Sequence, residues 1–227
     1  MHKSKKKEIY QLKNIYESTI EFEKFINKNN GFSGIKNILD AGCGIGANSY
    51  YLSRKHPSIK ITGGDYRKDN ILKAQKILSK KKYPNIEFMK YDILKPSANL
   101  INRFEGIICV HTFCCFKNSK PVIDKLCKLK PKWIAINSLF YNGPLDILIH
   151  IRDSNKGLKD KNPDGDFNMF SIPQIKNEFL QNGYKINFTP FFPKKKLKQP
   201  VDKSRGSYTI KTEFNKNTIF SGPVYLP

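Results

Sequence analysis

The stretch ILDAGCGIGANSYYLS, residues 38–53, constrains this chain more than any other. An apolar run ends in Asp40, passes through Gly42, Gly44 and Gly46, and leads straight into a helical pattern. Glycines so spaced let the backbone turn sharply and approach a ligand with no Cβ in the way. The helix that follows offers free N–H groups and the positive end of its dipole. The spacing Gly42-x-Gly44-x-x-Ala47 also satisfies the dinucleotide-binding fingerprint, so an NAD-type or non-catalytic nucleotide-binding protein is one reading.

Around this turn, short apolar runs alternate with helical patterns. Strands are expected at 35–39, 59–64, 86–91, 104–111 and 133–139, and helices at 47–55, 69–82 and 120–129. A repeat of roughly 25 residues indicates βαβ units, hence an α/β fold: a doubly wound, mostly parallel sheet with helices on both faces. Residues 8–29 carry apolar positions at helical spacing and close on Asn29-Asn30-Gly31. The expected organisation is an N-terminal helical segment, 1–30, and a single α/β domain, 31–227. Within it, 141–170 is long, polar and rich in Gly, Pro and Asp, which fits a lid-like insertion. Beyond it a helix at 172–182, a strand at 184–191 and a hairpin around Asn215-Lys216-Asn217 are expected.

At 227 residues, 39% hydrophobic and 26% charged, the chain suits one full-sized domain. No apolar run approaches the ~20 residues of a membrane span. The basic start MHKSKKKEIY leads into no apolar stretch, unlike a secretory signal. Five cysteines, three crowded at Cys109, Cys114 and Cys115, suggest reduced thiols and a cytoplasmic protein. Their spacing lacks paired metal-ligand units, so no metal is expected. The net charge of +22 comes almost wholly from Lys, with arginine only at 54, 67, 103, 152 and 205. Arginine is the residue whose planar fork matches phosphate. A nucleic-acid partner is therefore possible but not favoured.

Four further features sit where the sheet's carboxyl edge should lie, the edge where open α/β sheets take ligands. Asp40 precedes the glycines, where a cationic ligand group would welcome a carboxylate. Asp65 ends the second strand, placed to accept from two ribose hydroxyls. Asp92 follows the third strand, and Val110-His111 ends the fourth.

Taken as a set, DAGCGIG, GGD, YDI and FEGIICVH resemble the ordered motifs of the class I S-adenosylmethionine-dependent methyltransferases, over about residues 35–140. The resemblance implies S-adenosyl-L-methionine as cofactor and a seven-stranded sheet whose last strand is antiparallel. It implies that Asp40 and the Gly42, Gly44 and Gly46 turn hold the methionine part. Asp65 would accept from the ribose while Tyr66 packs on the adenine; Asp92 would accept from the adenine amino group beside Ile93. Relatives that methylate exocyclic base amines carry an acidic or Asn residue and Pro-Pro after the fourth strand; this chain reads CVHTFCCF there. The cytosine-C5 relatives need a Pro-Cys nucleophile, which is absent from the sequence. The expected acceptor is a small molecule, methylated on oxygen or nitrogen. The alternative, motivated by the +22 charge, is RNA or protein, and it requires the lysines at 3–7, 80–82, 194–198 and 203 to converge on one face around the cleft. Candidate catalytic groups are His111, Tyr141 and His150, all in segments over the carboxyl edge.

Overall fold

The computed structural model describes residue 12, residues 14–152 and 164–191, and the backbone of three strands between 207 and 225. The chain divides into two compact units, 1–188 and 189–227.

In the first unit five strands form one parallel sheet: β1 (Asn37–Ala41), β2 (Lys60–Asp65), β3 (Ile86–Lys90), β4 (Gly106–Val110) and β5 (Trp133–Asn137). Their order is β3-β2-β1-β4-β5. β4, GIICV, is buried at every position, as befits a central strand covered on both faces. The helices are α1 (Glu17–Lys28), α2 (Ala47–Lys55), α3 (Lys68–Ile77) and α4 (Ser119–Lys128), followed later by α5 (Ile172–Gln181). Asn118 caps α4 by accepting from the Lys120 amide, and Ser171 caps α5 by accepting from that of Gln174.

One apolar cluster joins Leu39, Ile107, Ile123 and Leu126 to Phe170 and Phe179, and so seats α4 and α5. A second joins Phe22 and Ile26 of α1 to Ile38, Ile61 and Ile108 of the sheet. The N-terminal helix thus belongs to the domain's core. Each such buried side chain is worth ~1.5–3 kcal/mol.

The chain builds β1, β2 and β3 outward in one direction, then returns to place β4 on the other side of β1. That reversal opens a crevice between the loops leaving β1 and β4.

The insertion after β5 is built of short strands: β6 (Phe140–Tyr141), β7 (His150–Arg152), β8 (Asp164–Asp166) and β9 (Phe170–Ser171). β6 pairs with β9 in parallel and β7 with β8 antiparallel, setting His150 opposite Asp166. The strand expected at 184–191 is not formed. Tyr184 and Ile186 pack on the first cluster, and the Tyr184 hydroxyl donates to the Pro131 carbonyl at 2.7 Å, but no ladder follows. Pro190 has no N–H to give one. The seven-stranded sheet is likewise not seen among the described residues, where the parallel sheet has five strands. In the second unit β10 (Ser207–Lys211), β11 (Asn217–Ser221) and β12 (Val224–Tyr225) form an antiparallel meander, which includes the expected hairpin.

Candidate active site

The turn after β1 is fixed from two sides. The amides of Gly42 and Cys43 both donate to the Gly64 carbonyl, at 2.8 and 3.0 Å. Gly42, Gly44 and Gly46 have φ of 83°, 56° and 86°, the left-handed region that side chains disfavour. A Cβ on Gly42 would lie 2.4 Å from Thr112, whereas none of the atoms around Gly44 comes within 4 Å of the corresponding point. Gly44 therefore faces open space: the turn presents backbone to the crevice there.

Asp40 lies below this turn and is 1% exposed. Its Oδ2 accepts from the Ser49 hydroxyl at 2.6 Å, while its Oδ1 is buried with no partner among the described residues. Burial pushes its carboxyl up to about 6, against the pull of the Ser49 hydrogen bonds. A buried oxygen lacking a donor costs free energy unless a ligand supplies one. The residues present fit a cofactor bearing a cationic amino acid group.

Asp65, ending β2, is also buried. Its Oδ2 accepts from the Gly44 amide at 2.9 Å, and its Oδ1 from the Arg67 amide and the Asn70 side chain. Each carboxylate oxygen offers more than one lone pair, which leaves acceptor capacity on Oδ2. Tyr66 is 64% exposed at the rim, and Asp92 is exposed with Oδ1 accepting from the Leu94 amide. Ile93 and Val110 are buried in the two opposite clusters.

His111 follows β4 with φ of 54°, a strained value for a residue with a side chain, and its amide donates to the Asn137 carbonyl. Solvent reaches it, yet protein surrounds most of it, as at the floor of an open crevice; burial holds its imidazole below the ordinary histidine range. The two other catalytic candidates lie in the insertion. Tyr141 is half-buried in β6 with its ring against the place a Gly143 side chain would take. His150 is exposed, its Nδ1 3.1 Å from Asp166 Oδ1. The three candidates sit on separate segments: His111 after β4, Tyr141 in β6 and His150 in β7.

Several site residues carry no sequence signal. Ser18 Oγ of α1 lies 3.2 Å from His111 Nε2, and the Thr19 hydroxyl donates to Asn48 Oδ1 at 2.8 Å. The first contact spans 93 positions, so spacing arguments could not find it. Ser49 could have been suspected as a small polar residue on the first turn of α2. Asn168, 2% exposed, fastens the insertion to the loop after β4: its amide donates to the Cys114 carbonyl, its side chain to the Phe116 carbonyl, and its Oδ1 accepts from Ile149.

A family model described as a methyltransferase domain matches residues 32–161, more than half of the 227-residue chain. The chain belongs to the methyltransferase-domain family. This decides for the methyl-donor reading over the dinucleotide one, and S-adenosylmethionine is the cofactor the expectation named. No curated protein matches the chain. Among solved structures, the methyltransferase fold recurs in the N-terminal domain of EvdMO1 with SAH bound. That pair has a TM-score of 0.51 and 16% identity over 73% of this chain and 71% of the other. Magnesium protoporphyrin IX methyltransferase (ChlM) from Synechocystis PCC 6803 with bound SAH gives 0.48 and 14% identity, covering 90% and 81%. Coclaurine N-methyltransferase bound to N-methylheliamine and SAH gives 0.45 and 15% identity, covering 58% of this chain. The chain spans about a third (36%) of that enzyme's length. At 16% identity the likeness to the EvdMO1 domain is one of fold.

Proposed function

We propose that this methyltransferase moves a methyl group to an oxygen or nitrogen of a small-molecule acceptor. The observation that carries the reading is a cavity of about 320 Å³ at the reaction edge, lined by Leu94, Cys115, Phe116, Lys117 and Asp166 among others. That volume suits a small ligand, and its mixture of apolar wall and few polar groups is usual for such sites. Its Cys115 wall begins one turn from His111: the Cys115 thiol lies 4.0 Å from the His111 carbonyl.

Bound S-adenosylmethionine supplies a methyl already activated on a sulfonium, so the protein's work is alignment and exclusion of water. In our reading Asp40 and the Gly42–Gly46 turn hold the donor's amino acid end, Asp65 its ribose, and Tyr66, Asp92 and Ile93 its base, with Val110 supporting the floor. His111, kept neutral by burial, accepts the acceptor's proton, and Ser18 orients its ring. In the same reading the His150–Asp166 pair and Tyr141, both on the insertion, border the acceptor, and Asp166 lines the cavity. Five cysteines without disulfides agree with a reducing, cytoplasmic setting. No described helix is long and apolar enough to cross a membrane.

Two measurements test the proposal. Calorimetry should give binding of S-adenosylhomocysteine that is lost in Asp40→Asn, with no binding of NAD. Incubation with methyl-labelled donor and fractionated cell extract should put label in the low-molecular-weight fraction. Label confined to RNA or protein would overturn the small-molecule acceptor.

A further inference from the structure

We infer that the domain carries a second binding surface, for single-stranded nucleic acid, at the end of the sheet opposite the crevice. It is built from the last turn of α2 and the loop that enters β3. In a parallel sheet both lie at the amino edge, away from the carboxyl edge where methyl transfer belongs. The inference is independent of which acceptor is methylated.

Five cations converge there. Arg54 and Lys55 end α2, and Lys80, Lys81 and Lys82 precede β3; all five are exposed. Elsewhere the acids are occupied: Glu87 takes Lys60 and Arg103, Glu105 takes Lys132, and Asp124 takes Lys120. Among the described residues, none of the five has a carboxylate partner. Their charge is left over for an anion from outside.

Two of the cations, Arg54 and Lys82, are also held in place, which separates this patch from a solvated lysine run. Arg54 Nη1 donates to the Tyr50 hydroxyl at 3.1 Å, and its guanidinium carbon lies 5.7 Å from the centre of that ring. Lys82 Nζ lies 5.4 Å from the centre of the Tyr83 ring. Tyr50 and Tyr83 themselves meet edge to face at 5.2 Å between centroids. Asn85 ties the loop to the helix, donating to the carbonyls of Ser53 and Ile59 at 3.0 and 3.2 Å. Arginine so oriented loses less entropy on meeting a phosphate.

Beside the cations lies a cavity of about 580 Å³, with Ile15, Tyr50, Tyr51, Arg54 and Lys55 in its walls. A cationic track beside an aromatic-walled recess is what a single strand needs: phosphates on the track, a splayed base in the recess. A duplex keeps its bases stacked and has no use for the recess.

The test is fluorescence anisotropy of the full chain with a labelled oligouridylate, an oligothymidylate and a duplex of equal length, across a salt series. Arg54→Glu/Lys82→Glu is compared with Lys125→Glu/Lys128→Glu on α4, which changes net charge equally. We expect the first pair to weaken single-strand binding at least tenfold. Losing two phosphate contacts should also flatten the log–log salt slope by about 1.4, from ~0.7 per contact on single strands. The α4 pair should change affinity less than threefold. Equal losses from the two pairs would mean that net charge alone matters and would overturn the assignment; so would no loss from the first, or a duplex bound as well as the strands. Should Arg54→Glu disturb folding, judged by its melting temperature, Lys80→Glu/Lys81→Glu gives the same readout from exposed positions alone.

Discussion

The Thr112 hydroxyl donates to the Gly42 carbonyl at 3.1 Å, and its side chain fills the point where a Gly42 Cβ would stand. The loops leaving β1 and β4 are thereby locked together across the switch point. Gly42→Ala should lower stability by about 2–4 kcal/mol, from overlap added to a left-handed φ. Thr112→Ala in the same chain should recover only part, because the Thr112 Cβ itself stands 2.8 Å from the new methyl. Urea unfolding of the parent, the single variant and the double variant checks this; full recovery would show that neither the backbone angle nor the remaining overlap costs anything.

Asp40 sets a stability against the donor-binding role proposed for it. Its folded carboxyl titrates near 6, above the 3.8 of a free aspartate, so the native state holds a proton that the unfolded chain has released between those values. Its stabilising contribution is complete below about pH 4 and is lost as pH rises through 6, a change of about 3 kcal/mol at full size. Asp40→Asn should therefore gain stability over the parent as pH rises from 4 to 6, then keep a constant lead. The same substitution should abolish S-adenosylhomocysteine binding. Denaturation at pH 4.5 and 7.5, paired with calorimetry, reads both effects; a lead that shrinks with pH would contradict the assignment.

His111 combines strain with a depressed pKa. His111→Gly should stabilise the fold by about 1 kcal/mol, since glycine takes the φ of 54° freely, while kcat falls by about 100-fold or more. In the parent enzyme, kcat/KM should hold down to the ordinary histidine pKa and fall only below it. Loss of rate already at pH 7 would point to a different base.

Asn168 satisfies three backbone partners from a buried position. Asn168→Ala strips two of them and should cost about 2–4 kcal/mol. Its effect on KM for the acceptor should exceed its effect on donor affinity, because the insertion, not the glycine turn, loses its anchor. Steady-state kinetics against S-adenosylhomocysteine calorimetry separates the two.

Much of this was legible in the sequence because local rules were at work. The five parallel strands follow from apolar runs, and the crevice from the glycines at 42, 44 and 46 together with Asp40 and Asp65. The 184–191 segment misled: Tyr184 and Ile186 serve packing against the cluster that seats α4 and α5, and periodicity reads burial without seeing hydrogen bonds. Ser18 against His111, Thr112 against Gly42 and Asn168 against Phe116 stayed hidden for one physical reason. Each joins residues tens of positions apart through a single side chain, and no repeat in the sequence reports such a contact. The lysine runs at 3–7 and 194–198 and Lys203 lie outside the described residues.

The family match opens at residue 32, after α1 has ended. A recombinant fragment trimmed to that boundary would discard Phe22 and Ile26 from the core and the hydroxyls of Ser18 and Thr19 from the crevice wall. Anyone assaying such a fragment would be measuring an enzyme with one side of its pocket cut away, and a silent result would belong to the scissors.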